Sequence, residues 1–305
     1  MQKLCLASGR FRLLVDAKTG IPLSLTRPGE LGEANWEFVS PEKAPRGLWE
    51  LEVRPKHTST AATTTSATTA EPDLTLAPGD SRVRLVLVEQ DQTQLRLTYH
   101  VLLGDGDQPA LILTAVLKVE DTDEICGRVE VTNLSPACSV TSIAYPLLSG
   151  IRARAAQVPD TTGDHCVPAK AAPVRETLVY PFFAGLRFDD PVATLAGKFP
   201  GPAGLGVVTA RPVAGSPGLF RLQQFYCGQL SMAWMDYYAR TGNNGDSAGL
   251  YLASYDPEGR MVALRVDVEP ENTLGMGIVH PVRVEAGQTW ISGPVSIALH
   301  DGDWH

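Results

Sequence analysis

Strand-like segments follow one another along this chain without a helical repeat between them, and this feature constrains the fold most. Residues 95–101 and 125–133 are rich in β-branched and aliphatic side chains. In the second segment Ile125, Val129 and Val131 alternate with polar residues, which predicts that they face one side of a sheet. Many similar segments are separated by Gly, Pro, Asn and Asp. The pattern predicts an all-β fold, a large antiparallel sandwich, and argues against an alternating α/β fold.

The composition allows a sizeable core, since 44% of the 305 residues are hydrophobic and 20% are charged. The net charge of −8 argues against nucleic acid and anionic membranes as main partners, because both favour basic surfaces. No stretch has the length and apolar character of a membrane span, and the N-terminal residues lack the apolar run of a signal peptide. The five cysteines are scattered without a CxxC pair, which indicates reduced thiols. Together these features predict a cytoplasmic protein.

Two segments have the composition of long loops. Residues 58–73 are a Thr/Ala-rich run without large apolar side chains, so burial cannot offset the entropy of ordering them and we expect a mobile loop. A glycosylated stalk is the alternative for this run. Residues 152–176 are predicted as a second long loop. We therefore predict one sandwich domain over residues 1–299, and we interpret residues 300–305 either as part of a functional site or as the junction to a separate C-terminal domain.

The densest aromatic segment covers residues 223–238. Ligand sites combine aromatic surface with a few placed polar groups, and sugars use both through their C–H faces and hydroxyls. The candidate sugar contacts are Trp234, Asp236, Tyr237, Tyr238 and Tyr251. The alternative interpretation is that Trp234 packs in the core and Asp236 caps a turn.

Polar and aromatic side chains are also dense at residues 300–305. Asp301 and Asp303 are two residues apart, so in an extended segment they would face one side at about 6–7 Å. Glycosidase carboxylate pairs are separated by roughly 5–9.5 Å. We therefore take His300, Asp301 and Asp303 as candidate catalytic residues and Trp304 as a further candidate sugar contact. A solvated acidic turn is the alternative, and a metal site that includes His305 fits no strong zinc spacing.

The sequence contains none of the common short motifs of catalytic nucleophiles or cofactor binding. There is no GxSxG nucleophile elbow, no phosphate-binding loop and no dinucleotide fingerprint. The adjacent His165 and Cys166 are too unspecific to indicate a metal site. We therefore expect neither a cofactor nor a metal.

Several segments resemble the galactose-mutarotase-like β-supersandwich. Residues 11–22 resemble its opening hairpin, and residues 129–150 resemble its central strands. Residues 234–238, 249–256 and 300–305 look like segments of a group of bacterial glycosidase-like proteins, in which a TIM barrel follows the supersandwich. The resemblance implies the supersandwich fold and an oligosaccharide or glycoside partner. In such proteins the barrel carries the catalytic carboxylates, and that barrel is not part of this sequence.

Three functions therefore stay open. The first is the sandwich domain of a glycoside-hydrolase-like enzyme, which contributes sugar contacts next to a TIM-barrel domain or partner chain. The second is a self-sufficient small glycosidase or mutarotase-like enzyme. Stand-alone members of the fold use a His acid and a Glu base, for which His280, His300 and Glu285 are the candidates. The third is a non-catalytic glycan-binding or assembly module.

Overall fold

The structure is a computed structural model that describes residues 2–28, 35–39, 46–56, 73–104, 106–120, 124–156, 174–183, 185–196, 210–228, 230–242 and 245–302. These residues form 21 strands and one short helix. The elements are β1 (Lys3–Ala7), β2 (Arg12–Asp16), β3 (Pro22–Arg27), β4 (Asn35–Val39), β5 (Glu50–Pro55), β6 (Leu74–Leu76), β7 (Val83–Gln90), β8 (Gln94–Val101), β9 (Leu111–Val119), β10 (Ile125–Asn133), β11 (Cys138–Ala156), β12 (Val174–Tyr180), β13 (Leu186–Asp189), α1 (Pro191–Leu195), β14 (Arg211–Pro212), β15 (Phe220–Phe225), β16 (Trp234–Thr241), β17 (Ser247–Ser254), β18 (Ala263–Val268), β19 (Leu274–Val284), β20 (Thr289–Ile291) and β21 (Val295–Asp301). Within these ranges no helix is long and apolar enough to cross a membrane.

The strands pair antiparallel and build two sheets. The eleven-stranded sheet has the order β1-β2-β3-β4-β11-β19-β18-β15-β14; in addition β5 pairs with β11, and β6 pairs with β5. The ten-stranded sheet has the order β13-β12-β16-β17-β21-β10-β9-β8-β7, and β20 is added beside β10. β11 is long enough to pair with β5 along its first part and with β4 along its last part. The predicted all-β antiparallel sandwich is thus confirmed.

The core lies between the two sheets because apolar residues alternate along the strands. On β8, Leu95 and Leu97 are buried while the residues between them are not. On β10, Ile125, Val129 and Val131 are buried on one face, which confirms the alternation predicted from the sequence. Each fully buried aliphatic side chain of this size stabilises the fold by about 1.5–3 kcal/mol. The remaining positions of these strands form the outer faces, where polar groups are placed.

Buried tyrosines connect the two sheets by hydrogen bonds. The hydroxyl of Tyr145 on β11 donates to the carbonyl oxygen of Val116 on β9 at 2.7 Å. The hydroxyl of Tyr180 on β12 donates to the carbonyl oxygen of Leu264 on β18 at 2.8 Å. Each bond joins a side chain of one sheet to the backbone of the other, so it fixes the sheets relative to each other and leaves no buried hydroxyl unpaired at these two positions.

The opening hairpin expected near the N-terminus is confirmed as β2 and β3. Gly20 has a φ of 75° and its N–H donates to the carbonyl oxygen of Asp16 at 2.7 Å. This left-handed conformation favours glycine because it lacks a Cβ. The hydroxyl of Tyr99 occupies the space where a Cβ of residue 20 would lie. Glycine is therefore required here both for the turn and for the approach of a core side chain.

The long loop predicted for residues 152–176 is wrong at both ends. β11 continues to Ala156, and β12 already begins at Val174. Along β11 the apolar Ile151 and Ala153 are buried, whereas the arginines between and after them are exposed. The segment thus has the period of two of a strand, which its small and charged residues obscured in the sequence.

Some predicted features lie outside the described residues. They are the Thr/Ala-rich run apart from Asp73 and the segment with His165 and Cys166. Asp303, Trp304 and His305 also lie outside them. These expectations stay predictions.

Candidate functional site

The alternation along β16 decides which predicted site residues reach the surface. Met235 and Tyr237 are fully buried in the core. Since successive side chains of a strand point to opposite faces, Trp234, Asp236 and Tyr238 point to the outer face of the ten-stranded sheet. The three candidate sugar contacts Trp234, Asp236 and Tyr238 of β16 therefore share one face, although Tyr238 is only slightly exposed.

The neighbouring strands bring further predicted residues to this face. Asp236 is paired with Tyr251 on β17, and Gly249 of β17 is paired with His300 on β21. Residues that are directly opposite in an antiparallel pair lie on the same face of the sheet. We refer to the following residues as the Asp236 cluster: Trp234, Asp236, Tyr251, Tyr255 and His300.

A hydrogen-bonded carboxyl–imidazole pair forms the centre of the cluster. Nε2 of His300 lies 2.8 Å from Oδ1 of Asp236, whose side chain is fully buried. Nδ1 of the same ring lies 3.2 Å from the carbonyl oxygen of Asp301. These two contacts, one at each ring nitrogen, hold the imidazole in one orientation. Oδ2 of Asp236 is buried and has no hydrogen-bond partner within the described ranges.

Gly249 makes room for this pair. A Cβ at position 249 would lie 2.1 Å from both Cε1 and Nε2 of His300, which is far inside any normal contact. The imidazole thus rests against the backbone of β17, and only glycine allows this placement. Gly249 on β17 therefore determines where the His300 side chain of the neighbouring strand β21 can lie.

Aromatic rings flank the carboxyl–imidazole pair. The ring centroids of Trp234 and Tyr251 are 5.8 Å apart at an angle of 33°, and the hydroxyls of Tyr251 and Tyr255 lie 3.1 Å apart. Burial and the bond with Tyr255 raise the pKa of Tyr251 well above its ordinary value, and the carboxylates of Glu124 and Asp236 raise it further. The Tyr251 hydroxyl therefore keeps its proton at neutral pH and is able to donate a hydrogen bond.

Tyr237 does not belong to the cluster, and its predicted role as a sugar contact is corrected. Its ring lies in the core, where its hydroxyl donates to Oε1 of Glu176 at 2.8 Å and accepts the N–H of Ala153 at 2.9 Å. Ala153 belongs to the other sheet, so Tyr237 is a third tyrosine that ties the sheets together. Burial raises the pKa of Glu176, while the bond from Tyr237 opposes that rise.

The two predicted catalytic residues that the structure describes, His300 and Asp301, do not lie on the same face. Asp301 follows His300 on β21 and is paired with the buried Ala248, so it points to the opposite side of the sheet. It forms an ion pair with Arg27 of the other sheet. His300 is instead paired with Asp236, and Asp303 is not among the described residues. In the part of the chain that the structure describes, no group of three or more His, Cys, Asp or Glu is placed to hold a metal ion.

The candidates for a mutarotase-like acid and base are also separated. His280 is buried on β19, where its Nε2–H donates to the carbonyl oxygen of Tyr145 at 3.2 Å and its ring centroid lies 5.4 Å from that of Trp290. His300 lies on the outer face of the other sheet. Glu285 forms surface ion pairs with lysine and arginine neighbours. The His280 side chain therefore packs between sheets and does not face His300.

Burial of His280 predicts a measurable pH dependence of stability. Desolvation lowers the pKa of His280 from 6.5 to about 4, and its bond to Tyr145 only partly opposes this. The unfolded chain takes up this proton as the pH falls below 6.5 but the folded chain does not, so stability decreases in that direction. We expect a loss of about 2 kcal/mol between pH 6.5 and pH 5, measured by urea unfolding.

The variant His280→Gln serves as the control for this effect, because its amide N–H is able to donate to Tyr145 but does not titrate. The difference in unfolding free energy between the two proteins should change across this pH range. If the two pH profiles are parallel, His280 is not the group responsible.

Sequence reasoning missed a second constellation, a network of charged side chains on the outer face of the eleven-stranded sheet. Arg265 on β18 donates from Nη1 to Oε1 of Glu50 at 2.6 Å and from Nε to Oδ2 of Asp267 at 2.8 Å. Arg221 on β15 donates to Oδ1 of Asp267 at 2.8 Å. We refer to the following residues as the arginine network: Arg46, Glu50, Arg221, Arg265, Asp267 and Glu269.

The network is closed and almost completely buried. Arg46 bridges Asp267 at 2.9 Å and Glu269 at 3.1 Å. Glu269 also accepts hydrogen bonds from the N–H of Gly150 and the hydroxyl of Thr273. Every guanidinium group thus has carboxylate partners, so the network fits a structural role better than a binding site open to a ligand.

Comparisons with known proteins add information on the fold alone. No family model matches the sequence, and the comparison with curated proteins found no match. Among solved structures, an α-N-acetylgalactosaminidase from Bifidobacterium bifidum in complex with GalNAc matches with a TM-score of 0.51 and 10% identity over 99% of this chain. The GH36 α-galactosidase AgaB from Geobacillus stearothermophilus matches with a TM-score of 0.51 and 7% identity, also over 99%. The chain spans only 36% and 41% of the length of these two proteins.

A third structure is matched over its full length. It is a GalM/aldose epimerase homologue from C. elegans, with a TM-score of 0.52 and 8% identity over 99% of both chains. The two sheets, their antiparallel pairing and these matches agree with the resemblance found in the sequence. The chain has the galactose-mutarotase-like β-supersandwich fold.

Proposed function

We propose that this chain is a carbohydrate-recognising sandwich domain of a glycoside-hydrolase-like enzyme, and that the Asp236 cluster contacts the sugar. The observation that carries the proposal is the pair of the buried Asp236 and the partly exposed His300, with Nε2 and Oδ1 at 2.8 Å, next to the rings of Trp234 and Tyr251. Such a site offers flat apolar surface together with a few oriented polar groups, which is the usual make-up of a small-ligand site. A TIM-barrel domain or partner chain would then supply the catalytic carboxylates.

Two features support recognition over hydrolysis by the described residues. Retaining and inverting glycosidases need two carboxyl groups that flank the bond to be cleaved. In the Asp236 cluster the carboxyl group of Asp236 is bound to an imidazole and buried, and Asp301 points to the other side of the sheet. The names of two matched structures, an α-N-acetylgalactosaminidase and an α-galactosidase, make galactose-type sugars the first ligands to test.

A self-sufficient mutarotase-like or epimerase-like enzyme is the second candidate function. The full-length match to the GalM/aldose epimerase homologue favours it, because that protein has no large additional part. The separation of His280, His300 and Glu285 argues against the acid and base expected for it. Proton NMR of the chain with galactose would show faster anomeric exchange if this second function were correct.

Replacing Trp234 by alanine is expected to weaken binding of galactose-type sugars about tenfold or more, since truncation of a central aromatic contact removes a large part of a ligand's binding energy. The measurement is a titration of galactose and N-acetylgalactosamine followed by NMR chemical shifts or calorimetry. The fold should be retained, because Trp234 lies on the outer face and not in the core.

Phe225→Ala is the matched control. Phe225 is a large, partly exposed ring on β15, where it is paired with Ala263 on the outer face of the eleven-stranded sheet. The Phe225→Ala variant should bind the sugars as tightly as the unaltered chain does. Loss of binding in Phe225→Ala but not in Trp234→Ala would move the sugar site to the other sheet.

A further inference from the structure

A groove lies on the same outer face, on the part of the ten-stranded sheet formed by β8, β9 and β10. It encloses about 390 Å³, which is within the range of roughly 300–1,000 Å³ found for small-ligand sites. We refer to it as the cationic groove, and the lining residues that matter here are Arg96, Val116, Lys118, Arg128 and Glu130.

The strand register places two arginines on either side of a small apolar floor. Arg96 on β8 and Arg128 on β10 are both paired with Val116 on the central strand β9. Neighbouring strands are about 4.8 Å apart, so the two Cα atoms are separated by about 10 Å. Guanidinium groups on long side chains are thus able to approach one planar anionic group from both sides.

The charge of the groove differs from that of the whole chain. The chain carries a net charge of −8, yet the groove is lined by three cationic side chains, Arg96, Lys118 and Arg128, against two carboxylates, Glu120 and Glu130. Arg96 is 3.5 Å from Glu89 and Lys118 is 3.2 Å from Glu120, and exposed pairs of this kind are weak. Arg128 forms no ion pair with another residue that the structure describes. A carboxylate ligand would therefore meet at least one guanidinium that has no ion-pair partner among the described residues.

The groove and the Asp236 cluster belong to one continuous surface. A cross-strand row connects Trp234 on β16 through Ala253, Ser296 and Cys126 to Lys118 on β9. This row covers four strand spacings, or about 19 Å. An oligosaccharide laid along it would reach both places.

We propose that the cationic groove binds the carboxylate of a uronic acid residue, in an oligosaccharide whose remaining part contacts the Asp236 cluster. This inference rests on the proposed function and narrows its ligand to acidic saccharides. Arg128 and Arg96 donate to the carboxylate, which is the group that their planar donors fit best. Glu130 at the edge of the groove accepts from a sugar hydroxyl.

The test compares trigalacturonate with its neutral methyl ester by calorimetry. We expect the acid to bind at least about tenfold more tightly, because hydrogen bonds between a guanidinium and a carboxylate are stronger than those between neutral groups. Arg128→Gln should remove this preference and leave the affinity for the ester unchanged. Arg84→Gln, which alters an exposed arginine of the same sheet outside the groove, should keep the preference.

The outcomes separate this inference from the proposed function. Equal affinity for acid and ester, or an equal loss in Arg84→Gln and Arg128→Gln, overturns the cationic groove as a uronate site. Tighter binding of a sulfated galactose oligosaccharide than of trigalacturonate overturns the assignment to a carboxylate. If Arg128→Gln removes the preference but Trp234→Ala changes neither affinity, the groove is confirmed and the Asp236 cluster is not the sugar site.

Discussion

Replacing Arg265 by methionine is expected to destabilise the chain by about 3–5 kcal/mol, because it leaves Glu50 and Asp267 buried without their main partner. The Arg265 side chain is only 3% exposed, so water cannot take over its role. Arg221 and Arg46 stay near Asp267, but Glu50 loses its two shortest contacts. Urea unfolding of the two proteins at pH 7 measures the difference.

The pH dependence of this variant provides a second readout. Burial by itself opposes ionisation of Asp267, but the guanidinium groups of Arg265, Arg221 and Arg46 outweigh it, so the pKa of Asp267 is lowered to about 2. A lowered carboxyl pKa stabilises the fold above its ordinary value of 3.8, and that stability is lost as the pH falls from about 4 to about 2. In Arg265→Met we expect acid unfolding to begin at a higher pH.

Arg54→Met is the control, since Arg54 forms an ion pair with Asp73 at 2.9 Å but is 61% exposed. A pair of this kind contributes about 0–1 kcal/mol, so this variant should unfold almost as the unaltered chain does. If Arg265→Met costs no more than Arg54→Met, the network is hydrated in solution and does not stabilise the sheet.

The arginine network shows what the sequence could not reveal. The strand that carries Arg265 and Asp267 has an ordinary pattern, because residues 264–268 alternate between apolar and charged side chains, which is typical of any strand with a solvated face. Glu50 and Arg265 are 215 residues apart, and only the sheet order brings their strands near each other. The burial of their charges depends on this long-range contact, so local pattern had no means of detecting it.

The Asp236 cluster was predictable only in part, because it too depends on contacts between strands that are distant in sequence. Aromatic and acidic residues on β16 indicated a ligand site. Large rings occur on both faces of that strand, however, so the sequence alone did not separate Trp234 from the buried Tyr237. The bond between His300 and Asp236 links residues 64 apart through the order β16-β17-β21. Gly249 was a further signal, since a glycine within a strand often marks the close approach of another group.

Replacing His300 by leucine is expected to destabilise the chain by about 3 kcal/mol, because the carboxyl group of Asp236 is fully buried and loses the hydrogen bond at Oδ1. Oδ2 of the same group already lacks a partner within the described part of the chain, so the carboxyl group would be left without any hydrogen bond there. The double variant Asp236→Leu/His300→Leu removes both partners. It should therefore be more stable than His300→Leu alone, and the coupling energy of the cycle measures the pair.

Gly249→Ala tests the same pair without changing either partner. Its methyl group would occupy the position of the His300 ring, so the imidazole has to move away from Asp236. We expect a loss of stability similar to that of His300→Leu, together with weaker binding of galactose-type sugars. In the background of His300→Leu the further loss from Gly249→Ala should be much smaller, since leucine lacks the bond that is broken. Equal losses from Gly249→Ala in both backgrounds would mean that the glycine serves the strand itself and not the orientation of His300.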